Sequence, residues 1–189
     1  MSYCQQTDMG HCANNKADRR VGEYWEREFC KMAATRKMVF TPMQIGRKSS
    51  AQAFGLTGDR WNKYTLPDVT VWTYPGQHHE IKHKDPTRNG WFGLEAYRLR
   101  SLLAFASQTQ QDVMYTIHNH ALNNGRDNLD NSIDHWLTAR ITDLAGAWVH
   151  KQPSGTSWVN GQKESGIEIL YWPIGLWEPL TAYWDAEHG

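Results

Sequence analysis

The chain has 189 residues and no net charge, because 20 Lys and Arg residues balance 20 Asp and Glu residues. Hydrophobic residues make up 40% and charged residues 21%, an ordinary globular composition that gives no indication of disorder. No apolar stretch approaches the ~20 residues of a membrane span, and no signal peptide opens the sequence. We therefore expect a soluble, cytoplasmic protein with one domain over residues 17–189 behind an N-terminal extension, residues 1–16.

Three cysteines, Cys4, Cys12 and Cys30, are an odd number and fit a reducing compartment. Together with His11 they are the right residue types for zinc. Structural zinc sites take their ligands as close pairs such as Cys-x-x-Cys, and that spacing is missing here. The sequence therefore favours free thiols.

The first predicted element is an amphipathic helix around residue 25. Its apolar face consists of residues at helical spacing: Val21, Trp25, Phe29 and Met32. Glu26 lies at the edge of this face. Gly22 costs about 1 kcal/mol relative to Ala inside a helix, which hints at a close approach by another backbone or by a substrate.

Residues 38–44 and residues 51–56 each have the pattern of a strand, and the sequence leaves both open as the first strand. The same region is basic, with one acid, Asp59, among six cations: Arg36, Lys37, Arg47, Lys48, Arg60 and Lys63. If these cations flank the next element, they form a rim that contacts phosphates.

A β-hairpin is predicted next. Val69, Val71 and Trp72 favour a strand, the run Tyr-Pro-Gly-Gln at residues 74–77 favours a type II turn, and residues 79–83 favour a second strand. Side chains alternate along a strand, so Glu80 and Lys82 share one face. Folding the hairpin brings that face alongside Asp68. Two carboxylates and an ammonium then converge, and the carboxylates are hard oxygen ligands suited to Mg²⁺ or Mn²⁺.

Pro67, Asp68, Glu80 and Lys82 in this order resemble the signature of the PD-(D/E)xK nuclease superfamily. Residues 22–29 also resemble the Gly-x-x-x-Glu-Arg-Glu-apolar helix that opens archaeal-type Holliday junction resolvases, whose glutamate maps onto Glu26. The resemblance covers residues 20–120. It implies an α/β, restriction-endonuclease-like α-β-β-β-α-β core with a mixed central sheet.

The resemblance also implies a divalent-metal-dependent deoxyribonuclease, an endonuclease selective for branched or junction DNA, that acts as a homodimer. Glu26, Asp68 and Glu80 would be the catalytic oxygen ligands of Mg²⁺ or Mn²⁺, with the Ile81 carbonyl as a further ligand. Lys82 would position the nucleophile or stabilise charge. Lys84 and Arg98 are the candidate DNA contacts. We expect DNA as the partner and no membrane.

The hairpin histidines His78, His79 and His83 are read either as surface residues or as proton shuttles. Downstream, residues 93–107 predict a second amphipathic helix and residues 112–118 a strand. The string His-Asn-His at residues 118–120 is expected to be a strand end without catalytic meaning.

Residues 121–189 predict a Trp-rich elaboration of the core. Residues 135–141 favour a strand, residues 151–165 a loop or hairpin tip, and residues 167–180 extended segments that cover the sheet. Tryptophans in this part could stack on unpaired bases, but the pattern favours core packing. Two other functions remain open: a catalytically silent nucleic-acid-binding protein on the same fold, and a structural protein with a Trp-rich partner interface.

Overall fold

The computed structural model describes residues 15–43, 52–57, 60–73, 76–119, 133–159 and 162–188. The helices in these ranges are α1 (Asn15–Thr35), α2 (Ala96–Thr109), α3 (Ile141–Gly146) and α4 (Leu180–His188). The strands are β1 (Phe40–Pro42), β2 (Gln52–Thr57), β3 (Arg60–Thr65), β4 (Val69–Val71), β5 (Gln77–Lys84), β6 (Trp91–Glu95), β7 (Asp112–Asn119), β8 (Trp136–Arg140), β9 (His150–Val159), β10 (Gln162–Pro173) and β11 (Glu178–Pro179). None of the described helices is long and apolar enough to cross a membrane.

A six-stranded mixed sheet forms the centre of the fold, in the order β1-β4-β5-β7-β8-β11. Strands β5 and β7 are parallel, and the other neighbouring pairs are antiparallel. Parallel neighbours need a crossover, which α2 supplies. The order α1, β1, β4, β5, α2, β7 reproduces the predicted α-β-β-β-α-β core. The chain therefore has a mixed α/β, restriction-endonuclease-like fold.

The first strand of the core is β1, within the first of the two predicted segments. It pairs with β4, so that Phe40 lies opposite Val71. The second segment contains β2, which pairs with β3 in a separate two-stranded sheet. Strands β2 and β3 thus belong to an insertion between the first two strands of the core.

The central sheet is covered by α1 on one face and α2 on the other. Trp25, Phe29 and Met32 of α1 are buried in one apolar cluster together with Ile81 of β5. Leu99, Leu102 and Phe105 of α2 are buried in a second cluster with Val113, Tyr115 and Ile117 of β7. The predicted apolar face of α1 is confirmed at these three residues. An added Cβ at Gly22 would meet no atom within 4 Å, so no close backbone approach explains this glycine.

The second helix begins later than predicted, at Ala96, because residues 91–95 form β6. This strand pairs with β10 in a three-stranded sheet of order β6-β10-β9. Phe92 and Leu94 of β6, with Trp172 of β10, are buried in the core on one face of that sheet. Pairing with a distant strand therefore overrides the helical pattern at this end of the segment.

The C-terminal elaboration completes the core. The predicted strand near residue 135 is confirmed as β8, and β11 extends the central sheet beyond it. Trp172, Trp177 and Trp184 are at most 7% exposed, as core packing predicts, whereas Trp148 is 67% exposed.

Cys30 is a buried free thiol whose pKa burial raises to about 11. Cys4, His11 and Cys12, the other residues of suitable type for zinc, lie outside the described residues.

Candidate functional site

The predicted hairpin is formed by β4 and β5, and its register places Asp68 beside Glu80. Val69 lies opposite His79, and the Asp68 amide donates to the His79 carbonyl at 2.9 Å. Gly76 has a φ of 75°, as a type II turn requires, while residues 74–75 lie outside the described residues. The Asp68 Oδ2 accepts the Ile81 amide at 2.7 Å. This hydrogen bond fixes the aspartate on the hairpin.

Lys82 joins the two carboxylates. Its Nζ lies 2.5 Å from Glu80 Oε1 and 3.7 Å from Asp68 Oδ2. Asp68 is 4% exposed and Glu80 0% exposed, so both carboxylates are buried where one ammonium reaches them. The three residues that the hairpin pattern singled out therefore form one ion-paired cluster.

Arg98 of α2 is the second cation of this cluster. Its Nε donates to Glu80 Oε1 at 3.0 Å and its Nη2 donates to Glu80 Oε2, a bidentate pair. The same Nη2 donates to the Leu66 carbonyl at 3.2 Å. Arg98 lies one turn before Leu102 and two turns before Phe105, so the helix directs it at the sheet. Both oxygens of Glu80 are therefore held by protein cations.

The surroundings of the two buried carboxyls shift their pKa values in opposite directions. Burial alone would raise the pKa of Glu80, but the charges of Arg98 and Lys82 outweigh it and hold that pKa well below its usual range. Burial raises the pKa of Asp68, and the negative charge of Glu80 adds to the rise. Burial opposes the charge of Lys82 as well, yet Glu80 and Asp68 raise its pKa overall. Lys82 is thus a permanent ammonium.

Glu26 faces this cluster from α1. Burial, together with the negative charges of Asp68 and Glu80 and against the charge of Lys82, raises its pKa to about 8. These charges act on Glu26 because the helix brings its carboxyl near the hairpin. At neutral pH Glu26 is mostly protonated, so Asp68 and Glu80 are balanced by Lys82 and Arg98.

The residue types at this site suit a divalent metal, but their arrangement in the structure does not. Three carboxyls and a backbone carbonyl are hard oxygen donors of the kind that Mg²⁺ takes. Within the described ranges, however, no three His, Cys, Asp or Glu side chains are grouped closely enough to hold an ion. The expected common cation-sized space between Glu26, Asp68 and Glu80 is not found in this arrangement. Protein cations neutralise Glu80 there instead.

Comparisons with known proteins add one structural similarity. No protein-family model matches this chain, and no curated protein sequence matches it. A similar solved structure is that of Hjc, a Holliday junction resolvase from Archaeoglobus fulgidus, with a TM-score of 0.48 and 10% sequence identity. The match covers 86% of this chain and 94% of that chain. A similarity of this size carries no conclusion about the activity of this protein.

The two expected DNA contacts, Lys84 and Arg98, both have internal partners in the structure. The Lys84 Nζ donates to the Gly93 carbonyl at 2.6 Å and lies 6.0 Å from the centre of the Tyr115 ring. The Arg98 side chain is 11% exposed and bound to Glu80. Both cations therefore point into the protein in this conformation. They lie on the site-facing sides of β5 and α2, where low exposure favours internal partners.

Most of the predicted basic rim lies outside the described residues or in segments whose side chains are not described. Arg36 is described, and its Nη1 lies 2.5 Å from Asp185 Oδ1 of α4. Its guanidinium also lies 5.7 Å from the ring centre of Trp184. Arg36 therefore ties α1 to the C-terminal helix.

The hairpin histidines His78 and His79 are core residues, contrary to the surface alternative. His78 Nδ1 is hydrogen-bonded to Thr70 Oγ1 at 2.8 Å, and His79 Nδ1 to Thr116 Oγ1 at 2.9 Å. Burial lowers the pKa of both, that of His79 to about 3. His79 is therefore a neutral imidazole at physiological pH.

Two residues near the cluster were missed by the sequence reasoning. Tyr97 is 44% exposed, and burial together with Glu95 raises its pKa, while the charges of Glu80 and Lys82 also act on it. The second residue is Glu95. Tyr97 directly precedes Arg98 and Glu95 lies three residues before it, at the junction of β6 and α2. Recognising this junction in the sequence would have pointed to both residues. The apolar pattern hides it, because it places residues 93–107 in one helix.

Proposed function

We propose that this protein is a divalent-metal-dependent nuclease that hydrolyses DNA phosphodiester bonds. The observation that carries the proposal is the contact of one ammonium, Lys82, with both Asp68 and Glu80 where β4 meets β5. A branched-DNA substrate is the finer proposal, and the resolvase-like pattern around Glu26 supports it.

Asp68, Glu80 and the Ile81 carbonyl would hold Mg²⁺ or Mn²⁺, with Glu26 as a further ligand. Such an ion would supply a Lewis acid for the phosphate and a more acidic water. Glu80 could join it only by giving up part of its contact with Arg98, because both carboxylate oxygens are engaged.

The protein's own residues define the rest of the chemistry. Lys82 keeps its proton, since the two carboxylates raise its pKa, so it offsets negative charge and cannot act as a general base. The Ile81 amide holds Asp68 Oδ2 in place. Arg98 holds Glu80 on the same side of the sheet as Lys82. Glu26 supplies a carboxyl that ionises near pH 8.

The test compares cleavage of plasmid, linear, single-stranded and branched DNA by parent protein and Asp68→Asn, with Mg²⁺ or Mn²⁺. Asparagine can still accept the Ile81 amide but lacks the charge that a cation needs. We expect the cleavage rate to fall on the order of 100-fold or more, with DNA affinity nearly unchanged. Asp112→Asn is the matched control. The Asp112 Oδ2 lies 3.6 Å from Arg140 Nε, and this pair is not part of the Glu80 cluster. Equal cleavage by parent and Asp68→Asn would reject the assignment.

A second candidate is a catalytically silent nucleic-acid-binding protein. The observation in its favour is the bidentate contact of Arg98 with Glu80, since it neutralises a carboxylate that a metal would need. The same DNA panel decides between the two. Binding without cleavage by the parent protein, in either metal, would select the silent protein.

A further inference from the structure

A cavity of 170 Å³ lies on the outer face of the three-stranded sheet β6-β10-β9, away from the Glu80 cluster. Its residues come from the segment before β6, from β6 itself and from both strands of the C-terminal hairpin: Thr87, Asn89, Trp91, His150, Gln152 and Tyr171. The volume is about ten times the ~15 Å³ that one ordered water requires. The cavity therefore has room for a small organic group.

Aromatic rings form the walls of this cavity. The centres of the Trp91 and His150 rings are 5.3 Å apart, and those of His150 and Tyr171 are 6.4 Å apart. Trp148, which is 67% exposed, meets Trp91 edge-on at 5.9 Å. An exposed tryptophan beside a half-buried one gives an apolar, aromatic surface that solvent and ligands can reach.

Gly93 makes this aromatic wall possible. It lies opposite Tyr171 in the β6–β10 pairing, and a Cβ at Gly93 would come within 2.6 Å of the tyrosine Cε1. Only a residue without a side chain lets the tyrosine ring lie across β6 beside Trp91. The cavity is therefore a built feature of the sheet.

Polar groups complete the lining. Asn89 and Gln152 each carry an amide with donor and acceptor atoms, which is the hydrogen-bonding pattern of a nucleobase edge. The exposed cations Arg88 and Lys151 are their sequence neighbours, against one acid, Asp85, in the same loop. Flat rings, amides and nearby cations together fit a base with its flanking phosphates.

The cavity is joined to the proposed nuclease site through β5. Lys84 lies two residues beyond Lys82, and its Nζ donates to the carbonyl of Gly93, beneath the Tyr171 ring. Strand β5, which carries Lys82, therefore also contacts the floor of the cavity through Lys84.

We infer that this cavity, walled by Trp91, His150 and Tyr171, binds one unpaired nucleobase of a nucleic-acid strand. The inference deepens the proposed function, on which its substrate class rests, because an unpaired base occurs in single-stranded and branched DNA. A free nucleotide offers the same base, so the two sources are separated by experiment.

The test is a double-mutant cycle between the protein wall and the base. Binding of a fluorescein-labelled oligothymidylate and of the same oligonucleotide with abasic sites is measured by anisotropy, for parent and Trp91→Ala. We expect Trp91→Ala to weaken oligothymidylate binding about 5- to 150-fold, as loss of one stacked base predicts. Abasic oligonucleotide and fully paired duplex should bind parent and variant equally, since neither offers a base to the wall.

Trp72→Ala is the matched control, because Trp72 is also exposed, at 53%, and donates from Nε1 to Thr41 Oγ1 of β1, the edge strand of the central sheet. It should change binding less than about twofold, as a surface substitution away from the ligand. His150→Ala provides a second variant at an exposed position in case Trp91→Ala lowers stability. Equal weakening of oligothymidylate and abasic binding, or no weakening by either variant, would overturn the inference.

Two further measurements distinguish a nucleic-acid strand from a free nucleotide, and failure of the cavity proposal from failure of the nuclease proposal. Thymidine monophosphate binding as tightly as the oligonucleotide, and lost in Trp91→Ala, would assign the cavity to a free nucleotide. A nuclease that depends on Asp68 but binds DNA independently of Trp91 and His150 would refute the cavity alone. Base-dependent binding without any cleavage would keep the cavity and refute the nuclease.

Discussion

The two faces of β5 are both buried, but one carries charged side chains and the other neutral ones. Glu80 on the α2 face and Ile81 on the α1 face are both nearly inaccessible, at 0% and 4% exposure. On the α2 face buried charges are kept and balanced by Lys82 and Arg98. On the α1 face, β5 itself buries Ile81 and the imidazole of His79 instead.

The α1 face is a stack of rings. Trp25 lies 4.7 Å from His83 and 3.5 Å from His118 between ring centres, and Phe29 lies 4.7 Å from His79. Burial holds the pKa of His79 near 3, so this face carries no charge at His79 at neutral pH. The comparison teaches that charge is concentrated on one side of one strand. That concentration costs free energy, and such clusters of perturbed pKa values are common at functional sites.

The largest expected effect comes from breaking the charged face. Arg98→Met leaves Glu80 buried with half of its neutralising partners, which costs about 3–5 kcal/mol of unfolding free energy. Urea unfolding followed by circular dichroism measures the loss. Adding Glu80→Gln to Arg98→Met should recover part of it, because the uncompensated charge is then removed.

Arg100→Met is the matched control on the same helix. Arg100 is 70% exposed, and its Nη1 lies 3.9 Å from Glu168 Oε2. Removing such a surface pair should cost less than about 1 kcal/mol. Similar losses for Arg98→Met and Arg100→Met would show that the charged face holds no special stability.

A smaller, pH-dependent effect is expected at Glu26. Its folded pKa of about 8 lies above its unfolded value, so its protonated form favours folding. This contribution is fully present below about pH 4.5 and is lost as the pH rises through 8. Relative to parent, Glu26→Gln should therefore be more stable at pH 9 than at pH 5, by on the order of 1–3 kcal/mol.

Unfolding of Glu26→Gln and parent in urea at both pH values, with a chelator present, measures this difference. Glu178→Gln serves as the control, because Glu178 is exposed on β11. A pH-independent difference between Glu26→Gln and parent would mean that Glu26 does not face the cluster.

The smallest effect is expected on the neutral face. Ile81→Val removes one methylene from the cluster around Phe29 and should cost about 1 kcal/mol. Salt screens charges, and the neighbours of Ile81 on this face include the neutral His79. The cost of Ile81→Val should therefore be the same at 50 mM and 500 mM salt, whereas the cost of Arg98→Met should change. Thermal unfolding at the two salt concentrations tests this contrast. A strong salt dependence for Ile81→Val would remove the distinction between the faces.

Much of the fold was predictable because its signals are local. The apolar face of α1, the β4–β5 hairpin and the strand at β7 follow from periodicity and turn residues, and each is confirmed. The cluster of Asp68, Glu80 and Lys82 follows from alternation along one hairpin. The strand β6 was not predictable in this way, because its partner residues in β10 lie about 80 positions further along the chain and the apolar pattern assigns residues 93–95 to a helix.

The sequence by itself determined α1, the β4–β5 hairpin, most of α2 and β7, and the residue types of the proposed site, since each depends on neighbours within one helix, strand or hairpin. Only the tertiary structure decided that Arg98 holds Glu80, that His78 and His79 are buried, and that Trp91 and Tyr171 share a wall across Gly93. Each of these contacts joins separate elements. Their formation depends on packing geometry and on the free energy of burying charge, which no local pattern records.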